Sequence, residues 1–237
     1  MSAVFNDDSA KILAATLTGA TITVQTHRRL ITCRVKFTTI DALDIVTELG
    51  NGANLIQNVN VQSGIGTEGF FTPDTFTTEW GADIAGESTG SWQLLGCGMP
   101  PNSNGASLTV KHYRNASTAT VANTGTADTG NMMNVGVGHG FLPPNMRFCE
   151  LAIWLTASQA ADDAIVSALY NGGSGKYANA IGDVATPAYY WRLFADENAW
   201  IGSPGLTNAG PVTFDGDNPA LIGPVNALPL LGVGGAG

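Results

Sequence analysis

The sequence predicts a mainly β domain, either a sandwich or a barrel. Short apolar runs with strand periodicity recur about every 8–12 residues between Ala3 and Trp154. Clusters of Gly, Asn, Pro and Ser separate most of these runs, and the chain holds 30 glycines. Only 12% of the residues are charged, against roughly 25% in an average soluble domain. This composition favours many strands joined by tight turns, with surfaces that neighbours can cover.

The clearest strand is Leu30–Phe37, where apolar and polar residues alternate with a period of two. Its apolar residues would share one face, and Thr32, Arg34 and Lys36 would share the other. Gly50-Asn51-Gly52 predicts a turn between two further strands. In chain order, strands are predicted at Ala10–Ala15, Ala20–Gln25, Leu30–Phe37, Leu43–Leu49, Leu55–Val61, Gly69–Phe71, Phe76–Trp80, Trp92–Cys97, Ser107–Tyr113, Ala119–Val121, Met132–Val137 and Arg147–Trp154.

One segment predicts a short amphipathic helix, Gln159–Tyr170. Ser158 can cap its first backbone N–H groups, and Asp162 and Asp163 lie near the positive end of the helix dipole. Gly172 follows at the place where a helix commonly ends. The apolar residues at helical spacing are Ile165, Val166 and Leu169.

The chain changes character after the helix. We therefore divide it into a sandwich with its closing helix, residues 1–173, and an aromatic segment with an extended C-terminal arm, residues 174–237. From Gly202 onward the chain is rich in Gly, Pro and Asn but also in apolar residues, which predicts either a disordered tail or an extended arm that becomes ordered on a neighbouring subunit. We favour the docked arm because the segment is too apolar for a solvated linker. The predicted interaction residues are Tyr189, Tyr190, Trp191, Leu221, Ile222, Val225, Leu228 and Leu230.

Several segments resemble the concanavalin A-like, laminin G-like jelly roll of tailed-bacteriophage virion proteins. Phe5–Ile12 is similar to the first strand of that family, Arg147–Trp154 to its last strand, and Thr156–Gly173 to the helix after it. Ala188–Leu193 and the ending Thr213–Pro219 resemble the tail of the phage forms. Residues 38–145 match only in strand rhythm. Asp162-Asp163 stands where the family usually has Ala-Glu, and Asn218 where His is common.

This resemblance implies a two-sheet antiparallel jelly-roll sandwich with one short helix. It also implies a non-enzymatic structural virion protein, such as a capsid decoration or cement protein, a head fibre or a tail-associated subunit. Its expected partners are the major capsid protein or other virion proteins, and its own copies, with which it is expected to form a trimer. The expected location is the virion, assembled in the host cytoplasm.

Charge and hydropathy weigh against two classes of partner. The net charge is −9, and the few basic residues are scattered, so nucleic acid is not expected. The nearest basic cluster runs from His27 through Arg28 and Arg29 to Arg34 and Lys36, and we interpret it as an exposed strand face. No apolar stretch approaches the roughly 18 residues of a membrane span, so no membrane is expected.

Catalytic chemistry is not expected either. No strand carries the alternating carboxylates of a retaining glycosidase. His27, His112 and His139 have no nucleophile motif near them, and Gly138 and Gly140 beside His139 suit a turn. Buried free thiols are expected at Cys33, Cys97 and Cys149.

Two other functions remain open from the sequence. A calcium-dependent adhesion domain could use Asp7 with Asp8, or Asp215 with Asp217, as weak candidate metal ligands. A lectin-like module that binds surface glycans could use exposed aromatic residues such as Trp80 and Trp92, although tryptophans at strand spacing are more often core residues. No cofactor is expected apart from this calcium alternative.

Overall fold

A computed structural model of the protein describes residues 2–6, 13–17, 22–23, 26–40, 44–50, 55–62, 66–68, 84, 89–101, 107–124, 131–132, 134–137, 145–194, 199–201, 206–208 and 212–223. In these residues the chain is mainly β, with antiparallel strand pairing and one α-helix, as the sequence predicts. The elements are β1 (Ser2–Asn6), β2 (Leu13–Thr16), β3 (Ile22–Thr23), β4 (Arg28–Phe37), β5 (Asp44–Gly50), β6 (Leu55–Gln62), β7 (Gly66–Glu68), β8 (Gln93–Met99), β9 (Ser107–Arg114), β10 (Ser117–Thr124), β11 (Asn131–Met132), β12 (Asn134–Val137), β13 (Asn145–Thr156), α1 (Gln159–Tyr170), β14 (Tyr189–Trp191), β15 (Ala199–Ile201), β16 (Thr207–Asn208) and β17 (Thr213–Asp215).

Two sheets face each other across the main apolar core. The larger sheet has the strand order β10-β9-β8-β4-β13-β1-β17, and β14 and β15 extend it beside β13. The smaller sheet has the order β16-β2-β12-β5-β6-β7. Both sheets contribute to the core between them, for example Phe5 and Phe148 from the larger and Leu13 and Leu49 from the smaller. The predicted strands at 69–71 and 76–80 lie outside the described residues.

A third layer covers the outer face of the larger sheet. There α1 and the segment after it pack on a second apolar cluster. Because strands in the middle of the sheet are covered on both faces, every residue of β8 is buried and β4 is buried except at Lys36. The residues of this second cluster are Leu30, Leu94, Tyr113, Ala152, Trp154, Ile165, Val166, Leu169, Ala178, Ile181 and Tyr190.

The burial of three arginines overturns the interpretation of the basic residues of β4 as an exposed face. Arg28, Arg29 and Arg34 are all buried. Arg28 Nε donates to Asp162 in the first turn of α1 at 2.7 Å, and Arg34 Nη2 donates to the Leu169 carbonyl in its last turn at 2.8 Å. The two arginines therefore fasten opposite ends of one helix. A cation beside the last carbonyls also suits the negative end of the helix dipole.

The helix begins and ends as its sequence predicts. Ser158 has extended backbone angles, and its hydroxyl accepts a hydrogen bond from the Ala161 N–H at 3.2 Å. Asn171 forms the C-cap with a φ of 48° and a ψ of 48°, one residue before the predicted terminator Gly172. Asparagine tolerates this left-handed conformation better than most residues do.

The described residues after 173 contribute strands to both sheets. Strand β14 pairs with β13, β17 with β1, and β16 with β2 of the smaller sheet. The predicted interaction residues Tyr189, Tyr190 and Trp191 are 2%, 0% and 0% exposed, which removes them from any partner surface. Burial of large aromatic side chains explains their sequence clustering without a partner. Ile222 is exposed, whereas Val225, Leu228 and Leu230 lie outside the described residues.

The three cysteines are buried free thiols, as predicted. Burial raises the pKa values of Cys33 and Cys149 far above the ordinary thiol value, so both stay protonated at neutral pH. Within the described part of the chain, no helix has the length and apolar character needed to cross a membrane.

Candidate functional site

A cleft of about 280 Å³ opens where the β9–β10 hairpin meets α1. The hairpin supplies one wall and the exposed flank of the helix supplies the other. Its lining combines two phenols, an ion pair, an amide, two aliphatic hydroxyls and a small apolar floor. The lining residues are Lys111, Tyr113, Asn115, Ala116, Thr118, Asp163, Val166, Ser167 and Tyr170.

The hairpin wall depends on the turn at Asn115. Strands β9 and β10 pair from Arg114 with Ser117, which leaves Asn115 and Ala116 as a two-residue loop. Asn115 has a φ of 54°, in the left-handed region that asparagine tolerates. Its side-chain Oδ1 accepts from the Leu94 N–H at 2.9 Å, and its own N–H donates to the Leu94 carbonyl at 2.8 Å. The turn is thereby fixed against β8.

The helix wall carries an ion pair that reaches across to β9. Oδ1 of Asp163 accepts from Lys111 Nζ at 2.8 Å and from the Tyr113 hydroxyl at 2.7 Å. Burial acts to raise the pKa of Asp163, but the bonds from Lys111 and Tyr113 outweigh it and hold that pKa below its usual value. Asp163 is therefore ionised at neutral pH. Among the described residues, its second oxygen, Oδ2, accepts no hydrogen bond.

A buried ion pair between Arg28 and Asp162 attaches α1 to the larger sheet next to the cleft. Asp162 is fully buried, Arg28 Nη2 lies 2.6 Å from its Oδ2, and the Thr156 hydroxyl donates to its Oδ1 at 2.6 Å. Gly98 makes room for this carboxylate, because a Cβ there would lie 2.6 Å from Asp162 Oδ2. Burial raises the pKa of Asp162, while the bonds from Thr156 and Arg28 oppose the rise.

Chemically, this arrangement fits an uncharged ligand with one apolar face and several hydroxyl groups. The half-buried ring of Tyr170 and the side chain of Val166 offer apolar contact, while the hydroxyls of Ser167 and Thr118 are exposed. The free oxygen of Asp163 can accept and the Asn115 amide can donate. Tyr113 is itself buried and holds Asp163 in place.

The predicted metal pair Asp215 and Asp217 lies elsewhere, at the β1–β17 edge. Asp215 accepts from Arg147 Nε at 2.7 Å, and Asp217 accepts from Lys36 Nζ at 2.7 Å and from Trp92 Nε1 at 3.3 Å. The two carboxylates are neutralised by two cations of the chain itself. Among the described residues, no group of three or more His, Cys, Asp or Glu side chains could hold a metal ion. Asp7 and Asp8 lie outside the described residues.

The aromatic and imidazole candidates do not converge on one site either. Trp92 is partly buried against the main core, and its indole N–H is directed to Asp217, while Trp80 lies outside the described residues. His27 Nδ1 accepts from the Thr23 N–H at 2.9 Å. His112 is buried, neither of its ring nitrogens has a hydrogen-bond partner among the described residues, and burial lowers its pKa to about 4. His139 lies outside the described residues.

One buried carboxylate was missed by the sequence reasoning. Glu150 sits at a bulge of β13 with a φ of 56°, and the Tyr190 hydroxyl donates to both of its oxygens at 2.7 Å. The Ala178 N–H donates to it at 3.2 Å. Burial raises the pKa of Glu150 to about 7, although the bonds from Tyr190 and Ala178 and the charges of Arg34 and Arg192 oppose the rise. The available signal was a lone acidic residue inside an apolar strand.

Comparison with known proteins shows the fold and no closer relationship. No protein-family model matches the sequence, and no curated protein matches it. A candidate carbohydrate-binding protein from Bacteroides ovatus ATCC 8483 is similar in structure, with a TM-score of 0.57 and 11% identity over 90% of this chain. The present chain spans only 58% of the length of that protein.

Two further similarities are too low to support an argument. A heptameric SAP-like pentraxin from Limulus polyphemus has a TM-score of 0.49 and 10% identity, over 68% of this chain and 84% of that one. A sialidase from Trypanosoma rangeli has a TM-score of 0.44 and 8% identity, over 61% of this chain and 22% of that one. The fold of the present chain is a concanavalin A-like jelly roll, as the sequence resemblance implied.

Proposed function

We propose that the protein is a non-enzymatic, lectin-like module that binds carbohydrate in the cleft between the β9–β10 hairpin and α1. The observation that carries the proposal is the composition of the cleft wall: the accessible ring of Tyr170 lies in the same cleft as the free oxygen of Asp163 and the amide of Asn115. A sugar ring presents an apolar C–H face and hydroxyls at its edge. An aromatic face with nearby polar groups complements both features.

Binding without cleavage follows from the acid groups in the cleft. Glycosidases of the usual kind need two carboxyl groups, about 5–5.5 Å apart in retaining enzymes and about 6.5–9.5 Å apart in inverting ones. Among the described lining residues, Asp163 is the only carboxylate, and two donors already hold its inner oxygen. This cleft therefore suits recognition rather than hydrolysis.

The fold supports the proposal at a coarse level only. The present chain and the Bacteroides ovatus protein are similar in their fold, and one fold can carry many functions. The proposal therefore depends on the cleft.

A glycan array with the wild-type protein tests the proposal, followed by calorimetry on the best binder. Replacing Tyr170 with Ala should weaken binding about 5- to 150-fold, because stacking on an aromatic ring is worth about 1–3 kcal/mol. Tyr177→Ala is the matched control, since Tyr177 is also partly buried but stacks on Arg192 outside the cleft. Absence of binding across the array, or equal losses in the two variants, would contradict the proposal.

A structural role in a tailed-phage virion is the second candidate, favoured by one observation. Ile222 is 55% exposed at the end of the described chain, and the sequence beyond it remains apolar. Such a segment could bind the capsid shell or further copies of the chain, by burying apolar surface.

Because β16 and β17 belong to the two sheets, removal of residues 224–237 is the appropriate truncation. It should abolish self-association or shell binding in light-scattering and sedimentation assays while the melting temperature is retained. Unchanged assembly of the truncated chain would remove this role.

A further inference from the structure

We propose that the cleft selects uncharged sugar residues and rejects acidic ones, and that the ion pair between Asp163 and Lys111 sets this selectivity. The inference rests on the proposed carbohydrate-binding function. It adds the substrate class, which neither the fold nor the sequence specifies.

The two charged groups of the described cleft wall form an ion pair with each other. Among the described lining residues, Lys111 is the only cation, and its ammonium lies 2.8 Å from Asp163 Oδ1. It also lies 5.4 Å from the centre of the Tyr113 ring. The charge of Lys111 is thus compensated inside the protein. A sugar carboxylate that entered the cleft would find no unpaired cation on the described wall.

The two charged groups of the cleft wall differ in their exposure to solvent. The Asp163 side chain is 43% exposed and the Lys111 side chain only 14%. The negative partner of the pair therefore faces the ligand, and its Oδ2 is open to it. A sugar hydroxyl can donate to this oxygen in a charge-assisted bond, whereas a sugar carboxylate would meet like charge.

The net charge of the whole chain also affects the binding of acidic ligands. The formal net charge of −9 repels acidic polysaccharides at long range. This repulsion acts in the same direction as the local contact but is screened by salt beyond about 8 Å at physiological ionic strength. Selectivity that persists in high salt would therefore belong to the cleft and not to the overall charge.

The test measures the affinity of wild-type protein for matched pairs of tetrasaccharides by calorimetry in about 0.15 M salt and about 1 M salt. Each pair has the gluco, manno or galacto configuration and differs only in oxidation of C6 to the carboxylate. The neutral member of the bound pair should bind at least tenfold more tightly at both salt concentrations. Equal affinities, or tighter binding of the acidic member, would overturn the inference while leaving the proposed function intact.

Two variants locate the origin of the selectivity. Asp163→Asn removes the negative charge and releases Lys111, so the neutral-to-acidic affinity ratio should fall at least tenfold. Lys111→Gln removes the cation instead, so the ratio should stay at or above its wild-type value. Melting temperatures of both variants check that they are folded. A ratio that Asp163→Asn leaves unchanged would overturn the inference. If neither member of any pair binds the wild-type protein, the proposed function and this inference fail together.

Discussion

At the residue scale, the absence of a side chain at position 98 matters as much as any side chain nearby. Gly98 lies on the helix-facing side of β8, where the carboxylate of Asp162 takes the space of its missing Cβ. That carboxylate and the Arg28 guanidinium neutralise each other away from water. Breaking such a pair is costly because it leaves a buried charge without compensation.

Gly98→Ala should destabilise the protein by about 1–3 kcal/mol, because the new methyl group must displace the buried carboxylate. Chemical denaturation monitored by tryptophan fluorescence measures the change in the free energy of unfolding. Gly182→Ala is the control, since a Cβ at position 182 would meet no heavy atom within 4 Å. A Gly98 variant as stable as the Gly182 variant would show that α1 does not depend on this contact.

Glu150 gives the stability of the protein a pH dependence. Its folded-state pKa is about 7, raised by burial from the ordinary glutamate value of 4.5. A folded pKa above the unfolded one means that the folded state holds the proton more tightly. The stability contributed by Glu150 is therefore fully present below pH 4.5 and is lost as the pH rises through about 7.

Replacing Glu150 with Gln should remove this dependence. The free energy of unfolding of the wild type relative to Glu150→Gln should fall by about 1–3 kcal/mol between pH 4.5 and pH 8, which denaturation curves measure. The difference between the two proteins is needed because His112 acts in the opposite sense. Its lowered folded pKa, about 4, costs stability as the pH falls below 6.5. Parallel pH profiles for the two proteins would contradict the assignment to Glu150.

At the element scale, α1 could be predicted from the sequence to the residue, whereas the surroundings of β4 could not. Ser158 and the apolar spacing of Ile165, Val166 and Leu169 are local signals, so they define the helix without knowledge of the fold. Alternation in β4 predicts only that its two faces differ. Nothing local indicates that the polar face of β4 lies under a helix, because Arg28 meets a partner 134 residues away.

Sequence reasoning missed the candidate cleft for the same reason. Lys111 and Asp163 are 52 residues apart, and only the packing of α1 brings them together. Two signals were available. Gly96 and Gly98 alternate within one strand, which indicates close approach by another element. Asp162-Asp163 also departs from the Ala-Glu of the family that the sequence resembles, and these two residues hold the helix and line the cleft.

The β1–β17 edge carries a prediction about calcium. Because Arg147, Lys36 and Trp92 already engage Asp215 and Asp217, neither calcium nor EDTA should change the melting temperature through this pair. A site filled at 100 times its dissociation constant would add about 2.7 kcal/mol to the stability. Thermal melts in calcium and in EDTA measure the effect, with Asp217→Asn as the comparison. A calcium-dependent rise that Asp217→Asn abolishes would contradict this account and restore the adhesion hypothesis.

At the scale of the whole molecule, three layers explain how a chain with few charged residues forms the candidate cleft. The smaller sheet covers one face of the larger sheet, and α1 with the following segment covers the other. The cleft lies at the border of the helix layer, where the β9–β10 hairpin extends beside α1. A rigid sheet and a helix fastened at both ends by Arg28 and Arg34 hold its polar groups in fixed positions.

The most direct measurement is a crystal structure of the protein with the tightest-binding neutral oligosaccharide from the array. The account predicts one sugar ring against the face of Tyr170, with a hydroxyl within hydrogen-bond distance of Asp163 Oδ2 and the Lys111–Asp163 pair intact. A sugar bound elsewhere on the jelly roll, with the cleft between the β9–β10 hairpin and α1 occupied only by water, would contradict it.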